Sequence, residues 1–94
     1  MIIVAGRLVV GAEERDAYVE GCRAVVEAAR RAPGCLDFHI TADPLEPGRV
    51  NVYEQWESPA ALEAFRGEGP GDDLSADVVE ASVSRHEIAA SGPA

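Results

Sequence analysis

Hydrophobic and polar residues change period several times along this chain, and each change marks an element. Ile2 to Val10 is apolar on both alternating sets except at Arg7, the pattern of a central strand covered on both faces. From Glu13 to Ala32 the period becomes helical. Tyr18, Cys22, Val25, Ala29 and Ala32 recur at steps of three and four, which makes one apolar stripe. Glu13, Glu14 and Asp16 open this helix and Arg30 and Arg31 close it, the charge order the helix dipole favours. Pro33-Gly34 ends it. Cys35 to Ala42 returns to a period of two, with Leu36, Phe38 and Ile40 on one face and Asp37, His39 and Thr41 on the other. Asp43 to Arg49 holds Pro44, Pro47 and Gly48 and reads as a hairpin loop.

A third strand ends at Trp56 and runs straight into a second helix. Ser58 suits its N-cap and Pro59 its first turn. Leu62 and Phe65 share one side, and Gly67 is the expected stop. An even hairpin register sets Ile40 against Val52, Phe38 against Glu54 and Leu36 against Trp56, and a one-residue slip would turn the whole set over. Residues Gly67 to Asp73 are too polar and glycine-rich to pack. Leu74 to Val79 is expected to form a short helical turn. Glu80 to Ala89 reads as a fourth strand, with Ala81 and Val83 opposite in facing to Ser82 and Ser84, and residues 91–94 as a frayed tail. The order βαββαβ is the split pattern of the ferredoxin-like fold: α+β, with a four-stranded antiparallel sheet, here in one domain over residues 1–90. Both helices cover one sheet face. The other mixes Asp37, His39, Asn51, Tyr53 and Gln55 with the apolar first strand, and burial against a second copy in a homodimer is the simplest cover for it.

The chain has 94 residues and a formal net charge of −9. That field repels nucleic acid and acidic membrane surfaces. No run approaches the roughly 20 apolar residues of a membrane span, and no basic leader with an apolar stretch is read at the start. Cys22 and Cys35 do not form a close-spaced metal motif. They read as free, buried thiols of a cytoplasmic protein. There is no glycine-rich loop opening a helix to hold phosphate, no serine-nucleophile motif and no metal site.

The candidate chemistry centres on Glu54 and Trp56, two residues apart on one strand face beside a helix entry. Trp56 reads either as a pocket wall or as a core aromatic. Glu54 reads either as an acid whose pKa is raised by apolar neighbours, able to act as a base, or as a carboxylate bonded to a nearby donor. His39 falls by parity on the face away from the helices. His86 is the second proton-transfer candidate, on a strand whose facing the pattern leaves open. Arg7 is expected to pair with an acid such as Glu57 or Glu87. Tyr53, on the same face as His39, needs a partner for its hydroxyl.

Pro33-Gly34-Cys35-Leu36 after the first helix, and Tyr53-Glu54-Gln55-Trp56-Glu57-Ser58 leading into Ala60, Ala61 and Leu62, resemble the antibiotic biosynthesis monooxygenase family of the dimeric α/β-barrel superfamily. The resemblance covers nearly the whole chain. It implies a dimeric barrel and a ligand pocket between the sheet and the helices. It also implies oxidation of anthrone- or quinol-like aromatics by dioxygen with no metal or flavin cofactor. Other members degrade haem. Trp56 matches the family's pocket tryptophan and Glu54 its usual acid. Phe65 or Arg66 stands where many relatives have a histidine. Val52 and Gly6 stand where the polyketide-oxidising and haem-degrading branches have asparagines. The resulting expectation is a cofactor-independent monooxygenase of secondary metabolism, with Glu54 and His86 catalytic and Trp56, Phe38, Phe65, Leu62 and Val52 binding a small planar aromatic. The alternative is a non-catalytic dimeric binding or accessory module using the same pocket.

Overall fold

The computed structural model of the chain describes residues 1–68 and 78–94. Its elements are β1 (Ile2–Val10), α1 (Arg15–Gly21), α2 (Arg23–Arg31), β2 (Cys35–Ala42), β3 (Arg49–Trp56), α3 (Pro59–Glu68) and β4 (Val78–Glu87). The four strands form one antiparallel sheet in the order β2-β3-β1-β4, the ferredoxin-like α+β arrangement that the periodicity predicts. β1 and β3 are interior; β2 and β4 are the edges.

Residues paired across a ladder share a sheet face. Ile2, Val4, Gly6 and Leu8 stand beside Trp56, Glu54, Val52 and Val50, and the helices pack on this side. The buried residues fall into two clusters. Ile2, Val4, Ala29, Phe38, Trp56 and Leu62 form one, and Val10, Tyr18, Cys22 and Val50 the other, with Ile40 packed against both. On the opposite face Ile3, Ala5 and Val9 are only half-buried and Arg7 is exposed. Within one chain, β1 is therefore covered on one side, not on both.

The single helix expected over Glu13 to Ala32 is two. Glu13 and Glu14 lie in a turn closed by Glu14 N–H to the Gly11 carbonyl, and the helical run breaks at Cys22, whose N–H is shared between the carbonyls of Tyr18 and Val19. Gly21 is a poor helix former at that point. The break lets the apolar stripe divide: Tyr18 and Cys22 serve the second cluster, while Val25, Ala29 and Ala32 serve the first.

Two hairpin pairs follow the even register, Phe38 with Glu54 and Ile40 with Val52, but Cys35 stands opposite Trp56 where Leu36 was expected. The ladder shifts between Cys35 and Asp37, so Leu36 is the extra residue of a bulge and is 48% exposed. Gly34 immediately precedes this shifted stretch. Its φ of +83° suits glycine, its carbonyl accepts the Glu57 N–H at 2.8 Å, and a side chain there would collide with Ala61 of α3. The α2–β2 junction is thus locked to the β3–α3 junction. Ser58 caps α3 as expected, its Oγ accepting the Ala61 N–H at 3.2 Å. The helix continues through Gly67, expected to stop it, to Glu68, and nothing approaches the space a Gly67 side chain would take. β4 begins at Val78, so Val78 and Val79 are strand. The rest of the expected Leu74–Val79 turn and most of the polar loop before it lie outside the described residues.

The β2–β3 loop is organised by one carboxylate. Asp43 accepts the backbone N–H groups of Leu45 and Glu46 at 3.0 and 2.9 Å and the Asn51 side-chain amide at 2.9 Å, and Arg49 lies 3.6 Å away. Arg15 of α1 donates to the Asp43 and Glu46 carbonyls. The Asn51 amide first, then the Glu46 and Leu45 N–H groups and the charge of Arg49, lower the Asp43 pKa from 3.8 to about 2. A depressed acid adds stability that is present above its unfolded value and lost as pH falls through its folded one. Urea midpoints followed by tryptophan emission should therefore fall as pH drops from 3.8 to about 2, and Asp43→Asn should flatten that part of the profile.

Candidate active site

Trp56 closes β3 with its indole 0% exposed. Phe65 of α3 lies 5.3 Å from it at an interplanar angle of 30°, and Phe38 of β2 meets it edge-on at 6.5 Å. Phe38 and Phe65 are themselves 6.0 Å apart. The three aromatics named from the sequence thus pack on one another, with Leu62, also 0% exposed, in the same cluster. A buried indole N–H needs an acceptor. Trp56 donates to Glu54 Oε1 at 3.0 Å.

Glu54 is half-buried between Phe38 of β2 and Val4 of β1, its neighbours across the two ladders. Burial among these apolar groups raises its pKa. The Trp56 N–H and the positive charge of Arg66 oppose the rise without cancelling it. Arg85 of β4 stands opposite Val4 on the other side, so Arg85 and Glu54 share a face two strands apart, roughly 10 Å between backbones. Glu63 of α3 lies 3.6 Å from Arg85. Glu63 and Arg66, three residues apart on α3, thus bring opposite charges over one rung of the sheet. Sequence reading missed Arg85 and Glu63 and gave Arg66 no role. The i, i+3 spacing on α3 was visible, but the register of β4 was not.

A cleft of about 760 Å³ lies between α2 and α3. It is lined by alanines of both helices, among them Ala24, Ala28, Ala60 and Ala64, with Phe65 and Glu57. Of the five residues expected to bind an aromatic, Phe65 alone borders it. Trp56, Phe38 and Leu62 pack against Phe65 in the buried cluster behind it, Val52 lies outside that cluster, and none of the four is more than 9% exposed.

His86 is not brought to Glu54. It pairs with Ile3, which puts it on the open sheet face, separated from Glu54 by the sheet. His39 is on that face too, its Nε2 2.8 Å from Asp37 Oδ1 and its Nδ1 3.3 Å from the Arg30 guanidinium. The Asp37 carboxyl is held below its usual range, chiefly by the bond to His39. Tyr53 finds its partner in Gln55 Oε1 at 3.2 Å. Arg7 pairs with neither Glu57 nor Glu87: its ladder neighbours are Asn51 and Ser82, and no ion pair reaches it among the described residues. Cys22 is buried and Cys35 half-buried, both free. Burial raises both thiol pKa values, which keeps the thiols protonated and poorly reactive. No helix among the described residues is long and apolar enough to cross a membrane.

The family model described as antibiotic biosynthesis monooxygenase matches residues 1–70. The chain belongs to the antibiotic biosynthesis monooxygenase family. The uncharacterized protein sll1783 of Synechocystis is 27% identical over 62 residues, 66% of this chain and 42% of that protein. The chain therefore spans less than half the length of that relative. Among solved structures, a candidate antibiotic biosynthesis monooxygenase from Nitrosomonas europaea superposes with a TM-score of 0.82 at 21% identity, covering 96% of this chain and 100% of the other. One from Deinococcus radiodurans gives 0.82 at 20% identity over 100% and 98%. At such identities these structures are similar in fold.

Within the antibiotic biosynthesis monooxygenase fold, Gly6 has a physical explanation. A side chain there would run into the Ser82 carbonyl of β4. Val52, the partner of Gly6 across the ladder, is buried.

Replacing Trp56 by Phe keeps an aromatic in the cluster but removes the N–H. Because that bond lowers the Glu54 pKa, Trp56→Phe should raise it further, as read by carboxyl NMR titration, and the Glu54 titration should be unmoved by Phe65→Leu. Trp56→Ala should cost roughly 3–5 kcal/mol in urea unfolding, the usual range for emptying a large aromatic site.

Proposed function

We propose that this protein is a cofactor-independent monooxygenase acting on a planar, electron-rich aromatic of the anthrone or hydroquinone class, in the cytoplasm and in secondary metabolism. The observation that carries the reading is Glu54: a half-buried carboxylate, raised in pKa, fixed by the Trp56 N–H and bordered by the apolar side chains of Val4 and Phe38. A raised pKa makes its ionised form a stronger base. For an anthrone, the Glu54 carboxylate takes a proton from the ring methylene. The carbanion joins dioxygen, the peroxide recovers the proton from Glu54, and loss of water leaves a ketone. One oxygen atom enters the product and the other leaves as water. Arg66 and Arg85 supply positive charge on the side where the enolate develops. Phe65, outermost of the aromatic group, offers the flat contact. Trp56, Phe38 and Leu62 support it from below, and His86 is assigned no step because it lies across the sheet.

The non-catalytic reading has its own observation. The cleft between α2 and α3 is lined mainly by alanines and does not include Glu54, so a flat molecule could lodge there unchanged. Oxygen uptake separates the two. With an anthrone or quinol in air, the wild type should consume one dioxygen per ketone formed from the anthrone, and Glu54→Gln should lose about 100-fold or more in rate while still binding. A substrate that binds saturably and is recovered intact in air would establish the binding module instead.

The same reading makes the open sheet face the contact between two copies. Light scattering at low micromolar concentration should give twice the 9.9 kDa chain mass, and a stable monomer there would remove the barrel from the proposal.

A further inference from the structure

Across the four strands, the helix-side rung that carries Glu54 runs Phe38, Glu54, Val4, Arg85, and the rung beside it runs Ile40, Val52, Gly6, Val83. An acid and a base therefore stand two strands apart on one face, with valines and a glycine between and beside them. This is the helix side of the sheet, not the open face assigned to a second copy. Its cover thins toward β4. Val4 is 2% exposed, yet Val83 is 39% exposed although it shares that face, and Gly6 adds no side chain to the floor. The two arginines near the rung are used differently. Arg66 is the cation whose charge reaches Glu54. Arg85 is met by Glu63 of α3 at 3.6 Å, an ion-pair distance too long for a hydrogen bond. Among the described residues the Arg85 side chain makes no hydrogen bond, so its planar set of donors is unspent. The pair is loose on both sides: the Arg85 side chain is 38% exposed and that of Glu63 66%. Exposed pairs of this kind contribute little to stability. A carboxylate resting in front of an unfilled guanidinium is an exchangeable partner.

We propose that Arg85 takes a carboxylate carried by the aromatic substrate, and that Glu63 holds its place until the substrate arrives. This rests on the reading that the chemistry is done at Glu54, and it names the kind of aromatic acted on: one with an acidic substituent. A guanidinium binds a carboxylate through two parallel N–H bonds, which the single Glu63 contact does not supply. The two strands are roughly 10 Å apart, a span that a tricyclic aromatic with a carboxylate on an outer ring bridges, its rings over Gly6 and Val83 and its reacting carbon toward Glu54. The displaced Glu63 carboxylate returns to water, which already surrounds most of it. No bond is made or broken. In a chain of net charge −9 an anionic ligand is repelled at long range, so an acid is recognised only where a guanidinium is left available to it.

The test uses anthraquinone-2-carboxylate and its neutral carboxamide, which match in shape and differ in charge. Both are already oxidised at the reacting carbon, so binding is read apart from catalysis. Each is titrated into isotope-labelled protein while the amide signals of Gly6, Val83 and Arg85 are followed, and circular dichroism checks the fold of Arg85→Gln and Glu63→Gln. In the wild type the carboxylate should bind about tenfold tighter than the carboxamide. Arg85→Gln should remove that preference and leave carboxamide binding unchanged. Glu63→Gln should strengthen the carboxylate alone, by about two- to fivefold, as the loss of an exposed competing acid implies. Equal affinities in the wild type, a preference that survives Arg85→Gln, no gain in Glu63→Gln, or shifts absent from these amides each overturn the proposal. Oxygen uptake with the anthrone is scored separately. A charge preference without uptake keeps this site and removes the monooxygenase, and uptake without a preference does the reverse.

Discussion

The indole N–H of Trp56 cannot remain unpaired inside a dry core without a cost of about 1–3 kcal/mol, and the group that accepts it is the carboxylate of Glu54. Because the two alternate on one strand, the bond spans a single pleat and needs no other element to bring its ends together. The consequences run in both directions. Trp56 can be fully buried because Glu54 is there to receive its N–H. Glu54 keeps an ionised form within reach because Trp56 and Arg66 offset part of the cost of its burial. Core packing and site chemistry therefore share one hydrogen bond, and a change at either residue is felt by the other.

Small residues place the helices around that pair. Gly34 lets α3 come close to the end of α2, and Ala61 occupies the space a side chain would need. The alanines of α2 and α3 bring little volume of their own, and the cleft between the helices is the gap they leave. The first helical stretch breaks at Cys22, so one sequence stripe feeds two buried clusters instead of one. The aromatic group sits at the end of the sheet reached by both α2 and α3, which is why Phe65 is at once part of the core cluster and part of the cleft wall.

The sheet is asymmetric in chemistry as well as in cover. Its helix side pairs acids with arginines across the gap to α3. Its open side binds up most of its charges in the Asp37–His39–Arg30 group and the Asp43–Arg49–Asn51 group, leaving Arg7 beside neutral hydrogen-bonding residues. In a chain this acidic, a basic group left unpaired is a local feature of the register and not of the composition.

Much of the architecture was legible in the residue pattern, because strand alternation and helix stripes are local. The limits of β1 and β2, the even pairing of Phe38 with Glu54, the Ser58 cap and the closeness of Glu54 to Trp56 all follow from short-range periodicity. What the pattern could not supply depended on contacts between distant segments. The Gly34–Glu57 bond and the approach of Ala61 go with the bulge that moved Leu36 out and Cys35 in. The facing of His86 and the arrival of Arg85 beside Val4 were set by the register of β4 on β1. The burial of Trp56 against Phe65 was decided by how α3 lies on the sheet. By itself the sequence determined which residues lie next to one another along and across a hairpin; the tertiary structure decided which of them reach the same space, because packing between non-neighbouring elements is set by volumes and close approaches that no local period records.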